Sequence, residues 1–242
     1  MKDGTLRRLP FGPVQIGILG GTGPAGKALA ARLASVGFEV VIGSRSKYRA
    51  MEIRDQLTTK WQKHHLDIGA ADNQGAAECE IVVLATPWDG ATETAITVAE
   101  HLDGKVVICM ANALARINNE FQPLVPPRGS VAASVQASVP RCFVAAALQH
   151  LPAKELGMIE HPIESDVLIC SDHVHAIERT AEIVRKIPGL RPLDAGSLSN
   201  ATPIEAFTAV LLELNVRYKT RAALKINGID GDGGVPGSEP SA

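Results

Sequence analysis

Gly20-Gly21-Thr22-Gly23-Pro24-Ala25-Gly26 joins two runs of opposite character. Before it stands the apolar run Val14-Gln15-Ile16-Gly17-Ile18-Leu19, which reads as a buried strand. After it stands Lys27-Ala28-Leu29-Ala30-Ala31-Arg32-Leu33-Ala34, a helix-forming run. Gly21, Gly23 and Gly26 therefore spell G-x-G-x-x-G at a strand-to-helix turn, the context that gives this pattern its meaning. Gly21 allows the tight turn, Gly23 lets a pyrophosphate approach the backbone, and Gly26 lets the helix pack closely on the strand. The helix N-terminus then offers free N–H groups and a positive dipole end to phosphate. A plain glycine turn, or a loop for FAD or an S-adenosyl ligand, uses the same residues. The strand–turn–helix context favours a nicotinamide dinucleotide.

The second strand, Phe38-Glu39-Val40-Val41-Ile42, bears on which dinucleotide. An NAD site places an acid at its tip, roughly 20 residues past the glycines, to bind the ribose 2′-hydroxyl. Here the tip is Gly43-Ser44-Arg45-Ser46, with no acid. A guanidinium can hold a 2′-phosphate in a bidentate fork, where a carboxylate would repel it. Ser44 adds a hydroxyl, and Arg49 a second cation one helical turn beyond Arg45. A solvated basic loop that includes Lys47 is the plainer reading, but it leaves the missing acid unexplained. The tip therefore points to NADP.

Composition narrows the classes. The 242 residues are 45% hydrophobic, enough for one good core or a core with a small appended unit. A net charge of −2 argues against a nucleic-acid binder, which carries a basic stripe. No apolar run approaches the length of a membrane span, and residues 1–13 lack the apolar centre of a secretory signal. Cys79, Cys109, Cys142 and Cys170 form no C-x-x-C pair and read as reduced thiols of a cytoplasmic protein. No spacing of cysteine and histidine suits a metal.

Further along, strand-like and helix-like stretches alternate. Buried strands read at Ile81–Ala85, Lys105–Met110, Cys142–Ala147 and Asp166–Cys170. Helices read at 47–63, 72–78, 91–101, 131–139, 171–186 and 203–224, with a proline-rich loop at 118–129. Such alternation implies βαβ units and a parallel sheet. We expect an α/β fold: a Rossmann-type, doubly wound parallel sheet with a small C-terminal α/β unit. The expected division is an N-terminal extension (1–13), an NADP-binding domain (14–148), a C-terminal subdomain covering the crevice (149–226) and a disordered tail (227–242).

Ligands of open α/β sheets bind beyond the carboxyl ends of the strands. Those ends include Thr86-Pro87-Trp88 and Asn112, which would line the path to the nicotinamide. A general acid or base is hard to find. The only tyrosines are Tyr48 and Tyr218, in no Y-x-x-x-K pair, and His150 is the one histidine at a strand end near the site. A hydride acceptor that is itself a ring system needs no such group.

The chain resembles the NADPH-dependent reductases of coenzyme F420. The matching residues are Gly20-Gly21-Thr22-Gly23, Val41-Ile42-Gly43-Ser44-Arg45, Thr86-Pro87-Trp88, Gly189-Leu190-Arg191-Pro192-Leu193-Asp194-Ala195-Gly196 and Leu198-Ser199-Asn200. The resemblance implies hydride transfer between NADP(H) and the deazaflavin F420, small-molecule redox partners and a homodimer. It implies NADP-phosphate contacts from Gly21, Thr22, Gly23, Pro24, Ala25, Ser44, Arg45 and Arg49. Trp88, Asn112 and Ala153 would meet the nicotinamide half, and Leu151, Pro152 and Leu224 the deazaflavin. Arg49 stands where the family commonly has lysine, and Gln149 where archaeal members carry histidine. The remaining readings are another NADP-dependent reductase, acting on a flavin or small carbonyl compound, and a non-catalytic NADPH sensor.

Overall fold

The computed structural model describes residues 14–229 and 231. The expected N-terminal extension and most of the expected tail lie outside the described residues. In chain order the elements are β1 (Gln15–Leu19), α1 (Pro24–Ser35), β2 (Glu39–Ser44), α2 (Lys47–Lys60), β3 (Ile68–Asp72) and α3 (Asn73–Ala77). There follow β4 (Ile81–Leu84), α4 (Trp88–Thr97), α5 (Ala99–Leu102), β5 (Val106–Cys109), β6 (Leu114–Ile117) and β7 (Glu120–Pro123). The remainder is α6 (Val131–Ser138), β8 (Phe143–Ala146), α7 (Ala153–Leu156), β9 (Ser165–Ile169), α8 (Val174–Lys186), β10 (Leu190–Asp194) and α9 (Ala201–Tyr218).

Six strands form one sheet in the order β3-β2-β1-β4-β5-β8, every pair parallel. The chain winds outward from β1 to β3, returns to β4 and winds the other way. The crevice of a doubly wound sheet opens at that reversal, between β1 and β4. Successive residues serve opposite faces. Ile81 and Val83 join a core with α1, α2 and α8, whereas Val82 and Leu84 join a second core with α4 and α6. Both faces are covered, which is why these strands read as unbroken apolar runs.

The C-terminal α/β unit is the parallel pair β9 and β10 with α8. One antiparallel bridge, Ala146 to Cys170, attaches it to the edge at β8. Its apolar residues continue the α1-side core without a break.

Three local features depart from the sequence reading. The proline-rich stretch holds a hairpin, β6 with β7, because Asn118 takes a left-handed conformation (φ 56°) that turns the chain. Helix α8 starts at Val174, with neither Ser171 nor Asp172 as its cap. The Ser171 hydroxyl instead accepts the His173 N–H, and Asp172 accepts the N–H of Leu198. Helix α9 ends at Tyr218, where Lys219 turns left-handed (φ 51°), six residues before the expected end. Residues 220–229 then run along β9. The Asp166 N–H donates to the Leu224 carbonyl, and the Asp166 carboxylate accepts the Ile226 N–H.

Candidate functional site

The glycine turn is built as its sequence requires. Gly20 has φ +72°, and a Cβ there would lie 2.7 Å from the Thr86 side chain. A Cβ on Gly21 would lie 2.9 Å from the Ile18 oxygen, and one on Gly26 only 2.7 Å from the Gly21 Cα. Gly23 differs: a Cβ there would meet nothing closer than 3.5 Å. Protein packing does not demand glycine at position 23, whereas close approach of a phosphate to the backbone would. Gly23 is also the N-cap of α1, and no side chain caps that helix. The Ala25 and Gly26 N–H groups are thus left for an anion, whereas Ser46, Asp72 and Ser130 cap α2, α3 and α6.

A crevice of about 600 Å³ opens beside this turn, lined by Gly20, Thr22, Gly23, Ser44, Arg45, Asn73, Thr86, Pro87 and Asp89 among others. It brings together the β1, β2 and β4 tips, as the switch-point rule requires. Two of its lining residues carry a buried polar atom with no partner: Asn73 Oδ1 and Thr86 Oγ1. Buried polar atoms are ordinarily paired, so both fit a polar ligand. Asn73 carries no sequence signal of its own, since it enters the crevice only through the parallel pairing of β3 with β2.

At the β2 tip, Ser44 is buried and accepts the Ser46 N–H, while Arg45 is exposed. No ion pair or hydrogen bond of the Arg45 side chain is found among the described residues. Arg49 is turned towards Glu52 at 2.5 Å in an exposed pair and does not line the crevice. Trp88 is 36% exposed at the start of α4 and lies outside the crevice lining, between Pro87 and Asp89, which belong to it.

A second pocket, about 450 Å³, lies beyond the β5 tip. Asn112, Leu151, Pro152 and Ala153 line it together, with Gln149, His150, Thr208 and Leu211. Leu224 does not; its carbonyl is held on β9. Pro24 and Ala25 lie in the first turn of α1. Asn112 fixes the wall at two points: its Nδ2 donates to the Gln149 carbonyl at 2.7 Å, and its Oδ1 accepts from the Thr208 hydroxyl at 3.2 Å. Behind the pocket, Arg32 of α1 is 1% exposed. Its guanidinium donates to the carbonyls of Glu155, Leu156, Met158, Ile159 and His161. That ties α7, and with it Pro152 and Ala153, to the helix that begins at the glycine turn.

His150 is buried, and its Nε2 donates to the Asp166 carbonyl at 2.8 Å. A carbonyl only accepts, so Nε2 carries the proton. Burial holds its pKa below the usual histidine value. The cysteines are buried thiols, and burial pushes Cys109 and Cys170 up to about 12 and Cys142 to about 11. None is a nucleophile at neutral pH.

A glycine turn at the switch point, an acid-free β2 tip and a second pocket beyond the next strand define a dinucleotide-binding oxidoreductase. Residues 15–113 match the family described as NADP oxidoreductase, coenzyme F420-dependent. The chain is 33% identical to the F420-dependent NADP reductase of Methanothermobacter marburgensis over 219 residues, covering 87% of this chain and 96% of that protein. It is 32% identical to the enzyme of the same name from Methanocaldococcus jannaschii, covering 86% of this chain and 95% of that one. A solved structure from Arthrobacter sp. FB24, assigned as an F420-dependent NADP-reductase, shares the fold at a TM-score of 0.75 and 23% identity, covering 89% of this chain and 99% of that one. The chain belongs to the family of F420-dependent NADP reductases.

Proposed function

We propose that this protein transfers a hydride between NADP(H) and coenzyme F420. The observation that carries the proposal is the pairing of an acid-free, arginine-bearing β2 tip with a second pocket whose histidine is buried, which disfavours the charged form a proton-accepting base must reach. Such a pocket suits the stacking of two rings better than proton removal from an alcohol. When bound, the reduced nicotinamide supplies the hydride and the deazaflavin ring accepts it.

The protein's part is binding and orientation. Gly21, Thr22, Gly23, Pro24 and Ala25 would hold the pyrophosphate at the α1 N-terminus. Ser44 and Arg45 would hold the 2′-phosphate, with Arg49 reaching it by leaving Glu52, an exposed pair worth little. Trp88, Asn112 and Ala153 would border the nicotinamide, and Leu151, Pro152 and Leu224 the deazaflavin. Residues 14–148 would form the NADP-binding domain and 149–226 the unit that closes the crevice. Two further readings belong here. Buried, protonated thiols support a reducing, cytoplasmic setting. An exposed apolar strip on α9 supports a homodimer.

Mixing the protein with NADPH and F420 and following the deazaflavin absorbance tests the proposal. The absorbance should fall only when enzyme and NADPH are both present. Oxidation of NADPH by flavin or small carbonyl compounds, with none by F420, would overturn it.

A further inference from the structure

Three breaches of local rules fall on three consecutive residues, of which Gln149 and His150 line the second pocket. Leu148 is left-handed (φ 68°), which is rare for a residue with a branched side chain. Gln149 is 5% exposed, and its Oε1 and Nε2 both lack a partner. His150 leaves its Nδ1 buried and unpaired. Isolated orphans of this kind are costly, and folded proteins hold few of them. Where several converge beside a pocket, a ligand is the natural partner.

The backbone of Gln149 is not free to drift. Its carbonyl accepts from Asn112, which in turn accepts from Thr208 on α9. The residue is therefore anchored from the segment after β5 and, through it, from α9, while its terminal torsion, a broad two-fold one, stays adjustable. A primary amide offers one donor and one acceptor side by side. The matching ligand edge offers an acceptor beside a donor, as an imide or a lactam does. The pyrimidinedione of a deazaflavin has that edge, with N–H flanked by two carbonyls. The nicotinamide carboxamide has the same chemistry on a smaller group.

We infer that Gln149 reads the imide edge of the acceptor ring, pairing with its N–H and one carbonyl, and so selects a pyrimidinedione ring for this pocket. The inference rests on the functional reading above. Gln149 touches the ligand but does no chemistry, so it sets affinity and selection.

The test uses calorimetric titration of the whole protein with F420, its N3-methyl analogue and NADP⁺, in the wild type, Gln149→Leu and Gln149→Glu. Methylation removes the imide donor, and leucine removes both halves of the amide. The wild type should bind F420 about twofold to tenfold tighter than the methyl analogue, the size of one neutral hydrogen bond. Gln149→Leu should lose that preference, bind F420 about tenfold to a hundredfold more weakly, the size of two such bonds, and bind NADP⁺ as the wild type does. Gln149→Glu keeps the size of the side chain but loses its donor, so it should weaken F420 and keep NADP⁺; it serves should the leucine variant fail to fold. A Gln149→Leu variant that keeps the preference for F420 over its methyl analogue, or a Gln149→Glu variant that binds F420 as tightly as the wild type, overturns the assignment. So does a loss confined to NADP⁺, which would give the amide to the nicotinamide. A wild type that binds NADP⁺ but no F420 overturns the functional reading as well.

Discussion

Arg45 stands exposed at the β2 tip, with no side-chain partner found among the described residues, beside a buried Ser44. A side chain in that state gains most from a doubly charged ligand group. Arg45→Ala should remove a charge-assisted contact worth about 1.5–3 kcal/mol. The KM for NADPH should rise by about tenfold to a hundredfold on that scale, while use of NADH barely changes. Steady-state kinetics with both cofactors checks this, and equal losses would show that Arg45 does not discriminate. His150 offers the opposite case. Its Nε2 proton is held by a carbonyl, and burial disfavours the charged ring that forms when Nδ1 takes up a proton, so it is a weak base. His150→Ala should cost far less than the roughly 10²–10⁴-fold expected for a lost general acid or base. The pH–rate profile of the wild type should show no inflection at the ordinary histidine value. Both residues were visible in the sequence, Arg45 through the missing acid and His150 through its place after a strand. Gln149 was marked only by its departure from the family pattern, and Asn73 and Arg32 not at all, because what distinguishes these residues is the absence or number of partners contributed by distant chain segments.

Among the elements, α9 shows what periodicity conveys and what it omits. The spacing of Phe207, Val210, Leu211 and Leu214 reads as one apolar stripe. In the fold the stripe is split: Leu211 is buried with Ala209, whereas Phe207 and Val210 are 40% and 48% exposed. The buried face also carries Glu205, whose carboxylate accepts the N–H groups of Val131 and Ala132 at the start of α6. Burial raises its pKa to about 7, against those two hydrogen bonds. A carboxyl raised above its unfolded value gives stability that is full below that value and lost as pH rises through the folded one. Wild-type stability should therefore decline from about pH 4.5 to above pH 7, by up to about 3 kcal/mol. Glu205→Gln, which cannot ionise, should flatten that decline, and denaturant midpoints measured across this range would show it. The parallel, doubly wound sheet, by contrast, was legible. Unbroken β-branched runs separated by helices leave few arrangements other than a parallel, doubly wound sheet. The hairpin at 114–123 and the strap at 220–229 were hidden because left-handed Asn118 and Lys219, rather than glycine or proline, mark their turns.

For the molecule as a whole, the exposed side of α9 has a direct consequence. Phe207, Val210 and Tyr218 leave an apolar strip open to solvent. Sedimentation at micromolar concentration should give a species of twice 25.5 kDa, and a single species at 25.5 kDa would contradict the dimer. Arg32 links the two pockets, since one helix begins at the glycine turn and, farther along, grips the segment behind the second pocket. The two rings would thus be held by a common rigid element, and a misplacement of about 1 Å between them could cost roughly a hundredfold. Rings in such contact leave no room for water between them. NADPH carrying deuterium at C4, on the transferred face, should therefore deliver its label quantitatively to C5 of F420. Appearance of the label in solvent, or reduction of F420 with solvent hydrogen at C5, would contradict direct transfer.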